Sequence, residues 1–477
     1  MIDTKALRQK ILDLAIRGLL VPQDPNDEPA SVLLEKIRAE KQQLIKEGKI
    51  KKDKSDSIIY KGDDNRHYEN LPTGWVGTEL SFVCWLEDGE KISGETLTYW
   101  DAKNLRGKSN GNLLTSGKIV EEKRSVILVD GENSGEIFSI PHRGYLGSTF
   151  KILGFSSFVE KDYITIILDY YRNLFRENKT GSAIPHLNKK LFRALPIMLP
   201  PIQEQKRIVT TVKQYLTQVD VIESNQEKLK LLYGDLKKKT LDIAIRGKLV
   251  PQDKNDEPAT KLLERIRAEK KVQLGKKYVD SYIYKGDDNC YYEHIDGVAE
   301  DKAVEVPFDL PNNWAWSRIF NISESYIGLT YKPSEITQEG GNIVLRSSNI
   351  QDGKLDLTDI VRVNSQITDK LRVNKNDIII CARNGSKKLV GKSAIVDIDL
   401  PNLTFGAFMA ICKTPFYNYV YTFLQSNLFF TQLAEVSGTT TINQLTQSNF
   451  NAFLIPIPPL AEQQCIVDKL NKIFAQI

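Results

Sequence analysis

Thirty residues of this chain occur twice, and that repetition limits its possible folds more than any other feature. Residues 12–41, LDLAIRGLLVPQDPNDEPASVLLEKIRAEK, return at 241–270 as LDIAIRGKLVPQDKNDEPATKLLERIRAEK, identical at 24 of 30 positions with a shift of 229. Downstream, Tyr60-Lys-Gly-Asp-Asp-Asn65 returns at 284–289, Tyr68-Glu69 at 292–293, and Leu71-Pro-x-x-Trp75 at 310–314. A second repeat closes each half. Ile184-x-x-Leu187, Leu199-Pro-Pro-Ile-Gln-Glu-Gln205 and Ile208-Val209 correspond to Ile442-x-x-Leu445, Ile457-Pro-Pro-Leu-Ala-Glu-Gln463 and Ile466-Val467, at a shift of 258. Between these ends, 76–180 and 315–437 share little beyond short apolar runs, so a common frame holds two different contents. The frame is also circular. The C-terminus maps to 477 − 258 = 219 and the N-terminus to 1 + 229 = 230, so the two chain ends together supply all but ten positions of another central segment.

Local patterning explains how such a circle closes. From Glu204 to Ile245, apolar residues recur at three- and four-residue intervals (Ile208, Val212, Leu216, Val219, Ile222, then Leu229, Leu232, Leu236, Leu241), which predicts one long helix. Pro200-Pro201 starts it, and Gly247 and Pro251 stop it. The matching stripe near the start is Leu7, Ile11, Leu14 and Ala15, ending at Gly18 and Pro22. Asp-Glu-Pro at 27–29 and 256–258 then opens a shorter helix in each copy. A long amphipathic helix needs a partner for its stripe, and the other copy is the available one, so two packed long helices are expected as a spacer between two lobes. In the lobes, Ser125–Val129, Asn342–Leu345, Asp377–Cys381 and Lys392–Asp397 read as strands, while Val159–Phe175 and Asn418–Leu433 read as helices. Each lobe is expected to be α+β.

Composition excludes several classes. With 41% hydrophobic and 26% charged residues the chain is neither disordered nor collagen-like. Its 65 Lys+Arg against 61 Asp+Glu leave a charge of only +4, too balanced to indicate a partner. Apolar runs such as Ile378–Cys381 and Phe453–Ile457 are far short of the ~20 residues of a membrane-spanning helix. Met1–Gln9 carries Asp3, Lys5 and Arg8 rather than an apolar signal core, so a cytoplasmic chain with no membrane partner is expected. The five cysteines and four histidines are scattered without metal-ligand spacing, so neither a disulfide framework nor a metal site is expected.

The motifs that suggest catalysis fail on detail. Gly385-Ser-Lys-Lys-Leu-Val-Gly-Lys-Ser393 imitates a phosphate-binding loop, but five residues rather than four separate its glycines, and Ala394–Asp397 reads as a strand where a helix should begin. Gly131-Glu-Asn-Ser-Gly135 places its serine fourth rather than third and is no nucleophile elbow. No amino-methyltransferase, nuclease or dinucleotide motif is found, and no catalytic residue is assigned. Basic, amide and aromatic residues near turns remain. In the first lobe these are Tyr99, Trp100, Arg106, Lys108, Arg143, Tyr145, Ser148, Lys151, His186, Asn188 and Lys189. In the second they are Arg346, Ser347, Asn349, Arg383, Asn384, Lys387, Lys388, Asn443, Gln444 and Thr446. These types read DNA: Arg and Lys reach guanine N7 and O6, Asn and Gln pair with adenine, and Ser, Thr and Lys hold phosphates. The lysine-rich stretch 46–54 reads first as a solvated linker.

The paired Ile-x-x-Leu…Pro-Pro-Ile/Leu-x-Glu-Gln-x-x-Ile-Val closures, Leu345-Arg-Ser-Ser-Asn-Ile350, the strand-turn 377–385, Gly391-Lys-x-Ala-Ile-Val396 and the LAIRGxLVPQD arms resemble the specificity (S) subunit of type I restriction–modification enzymes over essentially the whole chain. The resemblance implies an α+β protein with two globular target-recognition domains, at 72–200 and 310–458, separated by two long antiparallel helices with circular pseudo-two-fold symmetry. The remaining segments are then an N-terminal helical arm at 1–48, linkers at 49–71 and 273–309, a central helical spacer at 201–272, and a C-terminal helix at 459–477 pairing with the arm. It further implies a non-catalytic chain that reads a bipartite, asymmetric double-stranded DNA target. Its partners would be two adenine-methyltransferase (M) subunits binding S-adenosylmethionine and two motor-nuclease (R) subunits using ATP and Mg, with no cofactor on this chain. A duplicated adaptor that binds other proteins is the rival reading. If the helices act as a ruler, inserting four residues near Tyr233 should lengthen the preferred gap by one to two base pairs, because a helix rises ~1.5 Å per residue and B-DNA ~3.4 Å per base pair. An unchanged gap in the methylated motif would reject the ruler.

Overall fold

The computed structural model describes residues 1–50, 71–180, 185–437 and 444–476. The chain divides into two compact units, Met1–Lys228 and Leu229–Ile477.

In the first unit Asp3 caps the helix Thr4–Ile16, its carboxylate accepting from the Ala6 N–H at 2.9 Å. The helix stops at Gly18, whose φ of +69° is left-handed, and a Cβ there would lie 2.6 Å from Pro72 Cγ. Pro29 precedes a second helix, Ala30–Lys46. The lobe holds a four-stranded antiparallel sheet in the spatial order Cys84–Glu87, Phe150–Phe155, Ser125–Leu128, Ile137–Ser139. Beside it, Lys91–Trp100, Leu113–Val120 and Gly144–Leu146 close on themselves. The lobe begins and ends on one antiparallel ladder, Val76–Glu79 against Pro196–Leu199. A single core joins Ile127, Leu153, Ile164 and Phe175 of the lobe to Ile11, Ala15, Ile208 and Val212 of the helices.

The second unit repeats this frame. Helix Ala259–Leu274 follows Pro258, and Ala315–Arg318 pairs antiparallel with Leu454–Ile457. Its lobe is built from two four-stranded sheets. One runs Glu324–Ile327, Met409–Lys413, Ile378–Cys381, Ser393–Ile395; the other runs Ile336–Thr337, Val361–Val363, Asn342–Leu345, Leu403–Phe405, with the last pair parallel. Helix Leu460–Phe474 shares a core with Leu241, Ala244 and Ile245, and Lys237 Nζ lies 5.7 Å from the Phe474 ring centre.

The long helix runs from Ile202 to Ile245, close to the predicted span. Thr4–Ile16 packs on its first part, where Arg8 pairs with Asp220 and Glu223 and the Gln226 carboxamide bonds the Ile2 backbone. Within each unit, then, a terminal helix packs on that unit's own stretch of the long helix: Thr4–Ile16 in the first and Leu460–Phe474 in the second.

A buried polar clasp locks each frame. Trp75 Nε1 donates to Glu204 at 3.0 Å and Trp314 Nε1 to Glu462 at 2.9 Å. Gln23 bridges Glu204 to the Gly18 carbonyl, and Gln252 bridges Glu462 to the Gly247 carbonyl. Burial raises both carboxyl pKa values above the ordinary range, with the Trp and Gln donors pulling the other way. Lys41 bonds the Ser81 carbonyl, and Lys270 those of Phe320 and Ser323. Tyr163 and Tyr419 each donate to the closing strand, at Met198 and Pro456. One ion pair breaks the symmetry: Arg207 holds Asp27 at 2.6 Å, whereas Cys465 stands at the equivalent place in the second copy.

Three expectations change. Val159–Phe175 forms two helices, Lys161–Tyr170 and Arg172–Glu177, broken at Tyr171, whose ψ of 7° departs from helical geometry. Asn418–Leu433 also splits, into Tyr417–Leu424 and Asn427–Ser437, because Ser426 Oγ accepts from the Phe429 N–H and starts a new helix. The linker expected at 273–309 contains an antiparallel sheet of Ser281–Lys285, Tyr291–Ile295 and Lys302–Val304. Alternation buries Ser281, Ile283 and Glu293, and the Glu293 carboxylate anchors the sheet to Arg318 at 2.8 Å. Most of the linker 49–71 lies outside the described residues.

Candidate nucleic-acid interface

In the second unit three turns from distant parts of the sequence meet. Arg346 to Asn349 follow the strand Asn342–Leu345, Arg383 to Lys388 follow Ile378–Cys381, and Gln444 to Thr446 precede the helix Gln447–Ala452. Asn384 Nδ2 donates to Ser347 Oγ at 3.3 Å, which ties the first turn to the second. Arg383 and Gln444 face each other across an isolated antiparallel bridge, and the Leu445 N–H donates to the Ala382 carbonyl at 2.7 Å, which ties the second to the third. Lys387 and Lys388 are exposed on a short 3₁₀ turn. The strand Ser393–Ile395 follows soon after, so the glycine-lysine stretch opens no helix.

The first unit builds the same junction from other residues. His186 bridges Asp130, with Nδ1 2.6 Å from the carboxylate, and the Leu187 N–H donates to the Val129 carbonyl at 2.7 Å. His186, Leu187 and Asn188 stand 258 residues before Gln444, Leu445 and Thr446. Asn188 and Thr446 each cap the short helix that follows, Lys189–Ala194 and Gln447–Ala452. Tyr99 and Tyr145 are cross-strand partners in the small closed sheet, and Lys108, Ser148 and Lys189 are exposed.

Three candidates act within the fold. Trp100 is 5% exposed and its indole N–H donates to the His142 carbonyl at 3.0 Å. Tyr145 is fully buried and its hydroxyl donates to the Glu95 carbonyl at 2.9 Å. Asn349, 1% exposed, holds its turn closed by donating to the Asp356 and Asp359 carbonyls and accepting from the Arg346 N–H.

Sequence reasoning missed the carboxylates that hold the basic candidates. Glu136 takes both Arg106 and Arg172; Glu95 and Glu121 take Arg143; Asp359 takes Arg346 at 2.9 Å. Asp88 takes Lys118 and Lys151, which pull its carboxyl down to about 2. These pairs orient the cations while neutralising them, which is how a polar surface coexists with a near-neutral chain. Their partners lie up to 63 residues away, and no local pattern announces them. Asn443 lies outside the described residues. Among the described residues no group of three or more His, Cys, Asp or Glu is placed to hold a metal ion, and no helix is long and apolar enough to cross a membrane.

A repeated frame presenting two unlike polar faces at equivalent junctions defines a duplicated recognition scaffold. The chain belongs to the type I restriction modification DNA specificity family, whose model matches it twice, at residues 84–231 and 311–477. It is similar to the EcoAI specificity subunit of Escherichia coli, 29% identical over 98% of this chain and 88% of that protein. It is also similar to the EcoEI specificity subunit of the same species, 30% identical over 82% of this chain and 75% of that one. A chain solved in work on complex assembly and conformational transition of the type I R-M system shares the fold, with a TM-score of 0.54 at 17% identity, covering 85% of this chain and 92% of that one. The function that family membership supports is DNA recognition as a specificity subunit.

Proposed function

We propose that the two lobes read the two halves of a split, asymmetric DNA sequence, and that the helical frame positions two adenine-methyltransferase subunits and two motor-nuclease subunits around it. The reading rests on one observation: the same junction is built as Asp130–His186 in one lobe and Arg383–Gln444 in the other. A repeated position filled by different chemistry suits a site where the mounting is shared and the specificity is not. S-adenosylmethionine, ATP and Mg belong to the partners, and the chemistry is theirs. In this reading Lys108, Ser148, Lys189, Lys387 and Lys388 meet phosphates. Tyr99, Arg106, Arg143, Lys151, His186, Arg346, Ser347, Arg383, Asn384 and Gln444 face the grooves. Asn188, Thr446, Tyr145 and Asn349 hold the turns that carry them.

Sequencing of adenine methylation in cells with and without the gene tests the proposal. A two-part motif that disappears with the gene supports it, and an unchanged methylome argues for the protein-binding adaptor. Within the second lobe, Arg346→Ala should cost ~1–3 kcal/mol and relax one base position if Arg346 reads a base. Affinities for a panel of single-base variants check this, and a uniform loss across the panel would make Arg346 a phosphate contact.

A further inference from the structure

One large, exposed apolar side chain of the second lobe lies beside Arg383. Phe408 is 59% exposed. Scattered exposed apolar residues are ordinary on protein surfaces, so exposure alone means little. What sets Phe408 apart is how its turn is held. The Gly406 N–H donates to the Leu345 carbonyl, immediately before Arg346, at 3.0 Å. The Phe408 carbonyl accepts from both Ala382 and Arg383 N–H groups, at 2.9 and 3.0 Å. The Met409 N–H closes the turn on the Gly406 carbonyl at 2.8 Å. The turn is thus stitched to the segments that carry Arg346 and Arg383. The Arg383 guanidinium lies 5.3 Å from the ring centre, which restricts the ring while leaving much of it open.

Burying such a ring in the core was available to this fold, since Phe405, three residues earlier, is completely buried. Phe408 instead projects from a rigid turn among hydrogen-bonding groups. The one apolar group that a major groove offers is the 5-methyl of thymine, which aromatic and aliphatic side chains recognise by contact. We propose that Phe408 is a specificity-determining residue of the second lobe, reading a thymine methyl in the half-site that this lobe addresses. The inference rests on the DNA reading above and extends it to a residue type that hydrogen-bonding logic does not select.

The test uses the full chain assembled with its methyltransferase subunits and the duplex carrying its methylated motif. Each thymine of the second lobe's half-site is replaced in turn by deoxyuridine, which lacks only the methyl. Wild type should lose about fourfold in affinity at one position, from the ~0.8 kcal/mol of one buried methyl group. Phe408→Ala should bind the parent duplex at least about tenfold more weakly, the cost of removing a buried aromatic contact, and should no longer distinguish thymine from deoxyuridine there. Phe408→Leu should keep part of that discrimination. Thermal unfolding of Phe408→Ala alone should match wild type, since the ring is largely exposed.

No deoxyuridine-sensitive position in the wild-type complex, or the same sensitivity after Phe408→Ala, would overturn the inference while leaving DNA reading intact. Strong 2-aminopurine fluorescence from an unstacked step beside Phe408 would replace methyl reading by a wedge and overturn it too. Failure of the wild-type complex to prefer its motif over random duplex would instead sink the underlying reading.

Discussion

Trp314→Ala should destabilise the second unit by about 3–5 kcal/mol, lowering its unfolding midpoint by roughly 6–20 °C. The indole is 5% exposed and packs in the same core as Ile245, Leu263 and Ile457, so its removal leaves a cavity bounded by rigid elements. It also strips Glu462, itself 3% exposed, of the 2.9 Å N–H donor that compensates for burial of its carboxylate. Trp314→Phe separates the two effects: it keeps most of the apolar area and loses the donor, so its cost should be the ~1–3 kcal/mol of an unsatisfied buried acceptor. Because the frame is duplicated, Trp75→Ala should cost a similar amount in the first unit through Glu204. The two substitutions should add, because they lie in different compact units and share no partner. Calorimetry of both single variants and the double variant measures this. A loss from Trp314→Ala no larger than that from Trp314→Phe would mean that the cavity contributes nothing and the packing argument is wrong.

The residues of that clasp were marked in the sequence, since Leu-Pro-x-x-Trp and Pro-Pro-x-x-Glu-Gln both occur twice, although no spacing announces that the Trp and the Glu pair. The reason is physical. A frame that serves two different lobes must meet the same packing constraints at both, so its core residues recur and the repeat exposes them. Gly18 and Gly247 are repeated for the same cause, each with no room for a Cβ against a proline and a tryptophan. The long helix was legible because its apolar period persists for many turns. Its lobe counterparts were misjudged where one residue overrides a period: Ser426 satisfies the Phe429 N–H and restarts the helix, although the stripe continues. The sheet at 281–304 was hidden by its aspartates and glycines, which read as linker although Tyr282, Ile283 and Tyr284 alternate.

The recognition faces were half legible. Arg346, Arg383 and Gln444 were selected by residue type, and the turns bring them together. Asp359, Glu136 and Asp88 were not, because ion pairs between residues 13 to 63 positions apart leave no local periodicity. Phe408 escaped for the opposite reason: it is apolar, so a search for hydrogen-bonding types passes over it, and only the tight turn at Gly406, between the strands Leu403–Phe405 and Met409–Lys413, leaves it exposed.

Exchanging residues 72–198 for the corresponding segment of a related specificity subunit should change one half of the methylated motif completely and leave the other half untouched. The segment leaves and re-enters the frame on adjacent strands, with Val76 opposite Leu199 and Glu79 opposite Pro196. Its ends are therefore fixed by the frame, and a lobe of different length or contents closes at little added entropic cost. The donor must supply its own Pro-x-x-Trp entry, because Pro72 and Trp75 lie inside the exchanged segment and Leu71 and Glu204 outside it. Given that entry, the clasp to Glu204 and the packing of Leu199 on the helices re-form without reference to the lobe's reading face. His186, Arg106, Arg143 and the exposed Lys108 all travel with the segment, whereas Arg346, Arg383 and Gln444 stay behind. Each half of the motif should therefore follow its own set. Methylation sequencing of cells carrying the chimaera decides the matter, and a motif altered in both halves would show that the two faces do not read independently.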